Sequence, residues 1–184
     1  MNSKTKGRLM LVAIVLFFAL PAVVAKTVLT NHWYQSGVTN KGVLIEPRIT
    51  LSSLGLGTST QDKLWRVGYV VPKQCDEQCQ QHIYMLMQSH TALGKEQGRV
   101  EPVLLIEPES DIQSVERISV EKFAVNQAFM AAIKSSEIVI VDPLGQLVMH
   151  YPKTDPSQLV MQSKSVLADL RKLLKLSRVG RGGR

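Results

Sequence analysis

The chain carries two cysteines, Cys75 and Cys79, and both fall in one short stretch, LWRVGYVVPKQCDEQCQQHI, residues 64–83. Two thiols with three residues between them can lie one helical turn apart. At that distance they can close a disulfide or grip one soft metal ion such as Cu(I). Three readings therefore stand side by side: a redox-active dithiol, a copper site, or a structural bridge. Asp76 and Glu77 beside the thiols suit a helix start but oppose thiolate formation, whereas Lys73 favours it. The candidate reacting residues are Cys75 and Cys79. His82, three positions further on, can face the same way and is the one candidate third metal ligand, although an exposed helical histidine is the expectation for it.

The elements around the pair explain why its position matters. Residues 64–71 read as a buried strand, rich in Val, Trp and Tyr, and Pro72 stops it because proline has no N–H for a sheet ladder. Residues 80–93 read as a helix with Ile83, Met87, His90 and Leu93 on its inner face. The thiols are thus expected between a strand end and a helix start, where partial positive charge favours thiolate.

The rest of the chain bounds what this site can serve. Its 184 residues carry a net charge of +7. Lys4, Lys6 and Arg8 supply +3 at one end, and Arg171, Lys172, Lys175, Arg178, Arg181 and Arg184 supply +6 at the other. The remainder, 7 − 9 = −2, is slightly acidic. A basic stripe with stacking aromatics, as nucleic-acid binding requires, is not visible, so no nucleic acid is expected as a partner. Residues 1–8 form a basic stub, and residues 9–25 are uncharged and apolar. They read as a transmembrane anchor with the N-terminus in the cytoplasm; a cleaved signal peptide ending near Val23 and Ala25 is the alternative. Either way the bulk of the chain is exported, and a single-pass protein of the bacterial inner membrane with its domain in the periplasm is expected, a compartment that permits disulfides.

Residues 26–47 read as a linker in which His32 is solvated and Trp33 and Tyr34 either lie near the membrane interface or cap the domain's apolar edge. The domain is expected over 48–176. Residues 48–54 and 64–71, joined by a turn at 55–61, read as an N-terminal hairpin. Strands are expected at 100–106, 137–141 and 146–151, the last two joined by a tight Asp142-Pro-Leu-Gly145 turn. Helices are expected at 118–135 and 156–176. His150 ends the last strand with no obvious acidic neighbour. The tail, 177–184, reads as flexible and basic. The alternation of strands and helices is that of an α/β sheet, and the cysteines stand at the carboxyl end of its first core strand, where such sheets place their sites.

This order resembles the thioredoxin fold and, within it, the Sco/SenC group of membrane-anchored proteins. Gly68-Tyr69, Cys75-Asp-Glu-Gln-Cys79 and Val141-Asp-Pro-Leu-Gly-Gln146 carry the resemblance, which spans residues 48–174. The wording around the cysteines is also similar to anchored proteins encoded among cytochrome c oxidase assembly genes. The resemblance implies a thioredoxin-like domain acting in oxidase biogenesis by dithiol redox or copper handling. Its implied partners are an oxidase subunit or assembly factor. Lys134 stands where the group's copper-binding histidine falls, and the thioredoxin-type proline before the third core strand is missing. Both departures suit the alternative, a non-catalytic scaffold with a permanent Cys75–Cys79 disulfide.

Overall fold

The computed structural model describes residues 3–30, 40–57 and 63–177. The chain divides into two units, residues 1–39 and 40–184. The first contains helix α1, Ser3–Thr30, with Pro21 inside it. Its segment Thr5–Thr27 is long and apolar enough to cross a membrane. The helix therefore runs into the stretch expected as a linker. The readings of His32, Trp33 and Tyr34, of the loop positions 58–61 and of the tail beyond Ser177 lie outside the described residues.

The second unit is a six-stranded sheet with helices on both faces. In chain order it comprises β1 Val43–Thr50, β2 Trp65–Val71, α2 Glu77–Thr91, β3 Val100–Ile106, α3 Ile112–Val115, β4 Glu121–Ala124, α4 Gln127–Ala132, β5 Ile138–Val141, β6 Gln146–Tyr151 and α5 Leu159–Leu176. The strand order is β1-β6-β5-β2-β3-β4. β2, β3 and β4 run parallel; β5 is antiparallel to β2, and β6 is antiparallel to β5. This β6-β5-β2-β3 core is the thioredoxin fold, here extended by β4 on one edge and β1 on the other.

The central place of β2 follows from its sequence. Val67, Tyr69 and Val71 alternate with Gly68 and Val70, so the strand buries side chains on both faces. The odd-numbered set packs with Ile83 and Leu86 of α2 and Leu170 and Leu174 of α5. Val70 packs on the other face with Val103, Phe129 and Val139. Gly68 lies against the side chain of Leu105, and an added Cβ would sit 2.7 Å from its Cδ1.

Two expectations are corrected. The N-terminal hairpin does not form: β1 pairs antiparallel with β6, not β2. Both edges of β2 are taken by β3 and β5. Pro47, within β1, suits an outer strand because it offers no ladder donor. The expected helix at 118–135 is instead β4 followed by α4. Asn126 decides this, because its extended backbone breaks the run and its side chain accepts the Phe129 N–H, starting a new helix there.

Candidate functional site

The site is built at the end of β2. Pro72 ends the strand, and a short loop leads to Asp76, whose carboxylate accepts the backbone N–H of Cys79 at 2.9 Å. That cap starts α2 at Glu77, three residues before the start expected from hydrophobic spacing. Cys79 consequently lies inside the first turn, and only Cys75 precedes the helix. The two sulfurs are bonded as a disulfide, with 5.1 Å between the Cα atoms. Cys79 is 2% exposed, whereas Cys75 is partly open to solvent.

A second loop, after β3, clamps the first. Asp111 donates its N–H to the Pro72 carbonyl at 3.0 Å, and its carboxylate accepts the N–H of Cys75 at 3.2 Å. The Ser110 hydroxyl donates to the Val71 carbonyl. From the helix side, Gln80 Nε2 lies 3.2 Å from the Ser114 carbonyl and 3.5 Å from Cys75 Sγ. The Ser114 hydroxyl, with the N–H groups of Cys75 and Ser114, holds the Asp111 carboxyl below its usual range. Lys73 pairs with Glu109 at the rim, which raises its pKa. Gln80, Asp111 and Ser114 were not singled out from the sequence. The Asp-x-x-Ser spacing at 111–114 is a capping signal, but nothing local says that it reaches Cys75.

His82 departs from the exposed histidine expected. It is 1% exposed and stacks on Tyr69, with ring centroids 5.2 Å apart and 13° between planes. Its Nδ1 lies 2.9 Å from the Gln78 carbonyl, so Nδ1 carries the proton there. Burial depresses its pKa, outweighing the bond to Gln78. Burial likewise pushes the Tyr69 hydroxyl up to about 12, partly opposed by its hydrogen bond with Ser136. Tyr69, Gln78, Cys79, His82 and Ser136 line a small polar recess behind the disulfide. The inner face of α2 is also shifted: Leu86, not Met87, is buried beside Ile83, and Met87 is 38% exposed. His90 is partly buried, as expected, and bonds the Val100 carbonyl.

Two further positions bear on the chemistry. His150 does have an acidic neighbour: its Nδ1 lies 2.8 Å from Glu137 Oε2. The antiparallel β5–β6 register, with Val139 opposite His150, makes that contact. Ser136, just before β5, has φ +65° and donates its N–H to the Val70 carbonyl. Lys134 is exposed.

These residues do not assemble a three-ligand copper site. Among the described residues no group of three or more His, Cys, Asp or Glu is placed to share a metal ion. His82 is turned into the core, stacked on Tyr69 with its Nε2 buried, and the exposed Lys134 carries an ammonium group that cannot ligate. The two sulfurs, bonded to each other, have no thiolate to give.

The fold and its half-exposed cysteine pair define a thioredoxin-like domain preceded by an apolar helix that could span a membrane. Residues 65–177 match the family described as transmembrane-like, thioredoxin-like, C-terminal domain, and the chain belongs to that family. None of the curated proteins matches it. Among solved structures the chain is similar to the thioredoxin domain of a thiol-disulfide oxidoreductase from Bacteroides vulgatus, with 10% identity, TM-score 0.47, and coverage of 74% of this chain and 99% of that one. It is similar to apo Sco1 from Thermus thermophilus at 12% identity and TM-score 0.48, covering 75% and 99%. Copper-bound ScoI from Arabidopsis thaliana follows at 15% identity and TM-score 0.43, covering 60% and 85%.

Proposed function

We propose that this protein is a membrane-tethered thiol–disulfide exchange factor whose reacting group is Cys75–Cys79. The observation that carries the reading is the asymmetry of the pair: one sulfur partly open to solvent, the other buried in the first turn of α2. That is the arrangement of an attacking and a resolving thiol. In the reducing direction the Cys75 thiolate attacks a partner disulfide. A Cys75–partner S–S bond forms, and the partner's second sulfur leaves as a thiolate. Cys79 then attacks Cys75 Sγ, closing the disulfide and releasing the first partner sulfur. Two electrons pass to the partner, which ends as a dithiol.

The partner we propose is a cytochrome c oxidase subunit or assembly factor whose copper-site cysteines need reducing, on the periplasmic side of a bacterial inner membrane. The wording of residues 65–96 and the apolar Thr5–Thr27 segment support this. Copper handling by the reduced pair is the rival within the same site.

The test is trapping in cells. A Cys79→Ser chain should accumulate a mixed disulfide with its partner through Cys75, and Cys75→Ser should not. If neither variant traps a partner and the disulfide has a potential below about −300 mV, as structural bridges do, the scaffold reading replaces this one. Lys134, at the place of the missing histidine, and the missing proline before β5 favour that alternative. Thiol-dependent Cu(I) uptake by the reduced chain without trapping would favour copper handling.

A further inference from the structure

We propose that Gln80 sets the reactivity of Cys75: its side-chain amide donates an N–H to Cys75 Sγ and stabilises that sulfur when it carries the charge of a thiolate. The proposal deepens the dithiol reading and rests on it.

The orientation of the amide follows from its second contact. Gln80 Nε2 lies 3.2 Å from the Ser114 carbonyl oxygen. A carbonyl only accepts, so the amide nitrogen, not its oxygen, must face Ser114. One N–H is used there, and the other is left for Cys75 Sγ at 3.5 Å. The geometry is held from both sides. Gln80 sits in the first turn of α2, whose start is set by Asp76. Ser114 belongs to α3, capped by Asp111, and the same Asp111 carboxylate holds the N–H of Cys75. Sulfur, amide and carbonyl are therefore positioned by one hydrogen-bonded unit.

The surroundings explain why such a donor matters. Asp76 and Glu77 flank the pair, and Asp111 touches the Cys75 backbone; all three disfavour a thiolate. Lys73 is tied to Glu109, with Glu107 also acting on it. Lys153 lines the recess on the Cys79 side, together with Asp76. The N–H that the helix start would offer at Cys79 is taken by Asp76. A neutral amide brings a positive dipole end to Cys75 without adding a charge that these carboxylates would capture.

A hydrogen bond to a charged sulfur is stronger than one to a disulfide sulfur. The donor therefore favours the reduced protein over the oxidised one. The experiment equilibrates the full-length chain in detergent with reduced and oxidised glutathione at pH 7 and counts the oxidised fraction by alkylation and mass. Gln80→Met keeps the length and loses the donor. It should move the equilibrium about tenfold toward the disulfide, which is about 30 mV for a two-electron couple. Gln80→Glu should move it at least as far the same way, and Gln80→Lys the opposite way. A side chain serving only to hold the loop would not give shifts of opposite sign. Gln81→Met, whose amide bonds Glu77 instead, should change the constant less than twofold. Thermal unfolding of the oxidised forms establishes that each variant is folded. The proposal is overturned if Gln80→Met stays within twofold of the parent, if the Glu and Lys variants shift the same way, or if Gln81→Met shifts as much. The absolute constant of the parent tests the dithiol reading, whereas differences between variants test Gln80, so the two fail separately.

Discussion

Burial makes His82 a source of pH dependence separate from the disulfide. Its folded-state pKa lies below the ordinary 6.5, so the unfolded chain takes up a proton on that ring before the folded chain does. Unfolding is therefore favoured as pH falls below about 6.5, and the contribution of a neutral His82 is fully present only above that value. Urea unfolding at pH 5 and pH 7.5 should show a gain in stability with pH that shrinks in His82→Gln. An unchanged gain would mean that other groups account for it. Asp169 is a second buried residue with a definite task. It is 2% exposed and accepts from the N–H groups of Lys41 and Gly42 and from the Tyr151 hydroxyl, at 2.7–2.8 Å. Burial, with the carboxylate beside it, raises the Tyr151 pKa. Asp169→Ala leaves the N–H groups of Lys41 and Gly42 without their acceptor and the Tyr151 hydroxyl with only Met149 Sδ, and should cost about 3 kcal/mol of unfolding free energy, measured by urea denaturation.

Helix α2 is the element on which the site depends, and its beginning is set by one side chain. Asp76→Ala removes the cap on Cys79 N–H and should destabilise the domain by about 1 kcal/mol. It should also raise amide exchange at Cys79 and Gln80 more than at Leu86. Uniform exchange along the helix would show that the cap is not what holds its first turn. The other end of the support is α5, which packs on the same sheet face as α2. Leu170 is fully buried there, and Leu170→Ala should cost about 3 kcal/mol. Because Leu170 packs in the core shared by both helices, the reduced form of this variant should lose cooperative unfolding before the oxidised form does.

At the scale of the whole molecule, the two units carry separate expectations. The basic stub and the apolar segment Thr5–Thr27 lead us to propose an uncleaved anchor with the domain exported. A full-length chain fused at its C-terminus to alkaline phosphatase should be active and stay in carbonate-washed membranes. Activity released to the soluble fraction would point to a cleaved signal, and no activity to a cytoplasmic domain. The net charge of +7 sums +9 near the two ends and −2 between them, and three of those end cations, Arg171, Lys172 and Lys175, lie on α5 of the domain.

Local pattern was enough to read much of this protein. The alternating apolar residues of β2, the strand at 100–106, the Asp142–Gly145 turn and the helix at 159–176 are each set by residues a few positions apart, and these are visible in a sequence. So was the place of Cys75 just after a strand end, although Cys79 lies inside the first turn of α2 rather than before it. The failures have a common physical origin. Where β1 pairs depends on which sheet edges remain open after β3 and β5 have taken β2. Whether residues 118–135 form one helix depended on how strongly Asn126 competes with helix continuation. The burial of His82 came from the face that α2 turns toward Tyr69, which a one-residue shift in the helix's inner stripe decides. The donor at Cys75 Sγ required α3 to meet α2 across the end of the sheet, with Ser114 34 positions from Gln80. Sequence by itself determined the pair of sulfurs and the elements that carry them, because those rest on short-range spacing. Which sulfur faces solvent, and which side chains surround it, only the tertiary structure decided, because they rest on contacts between elements that no local pattern encodes.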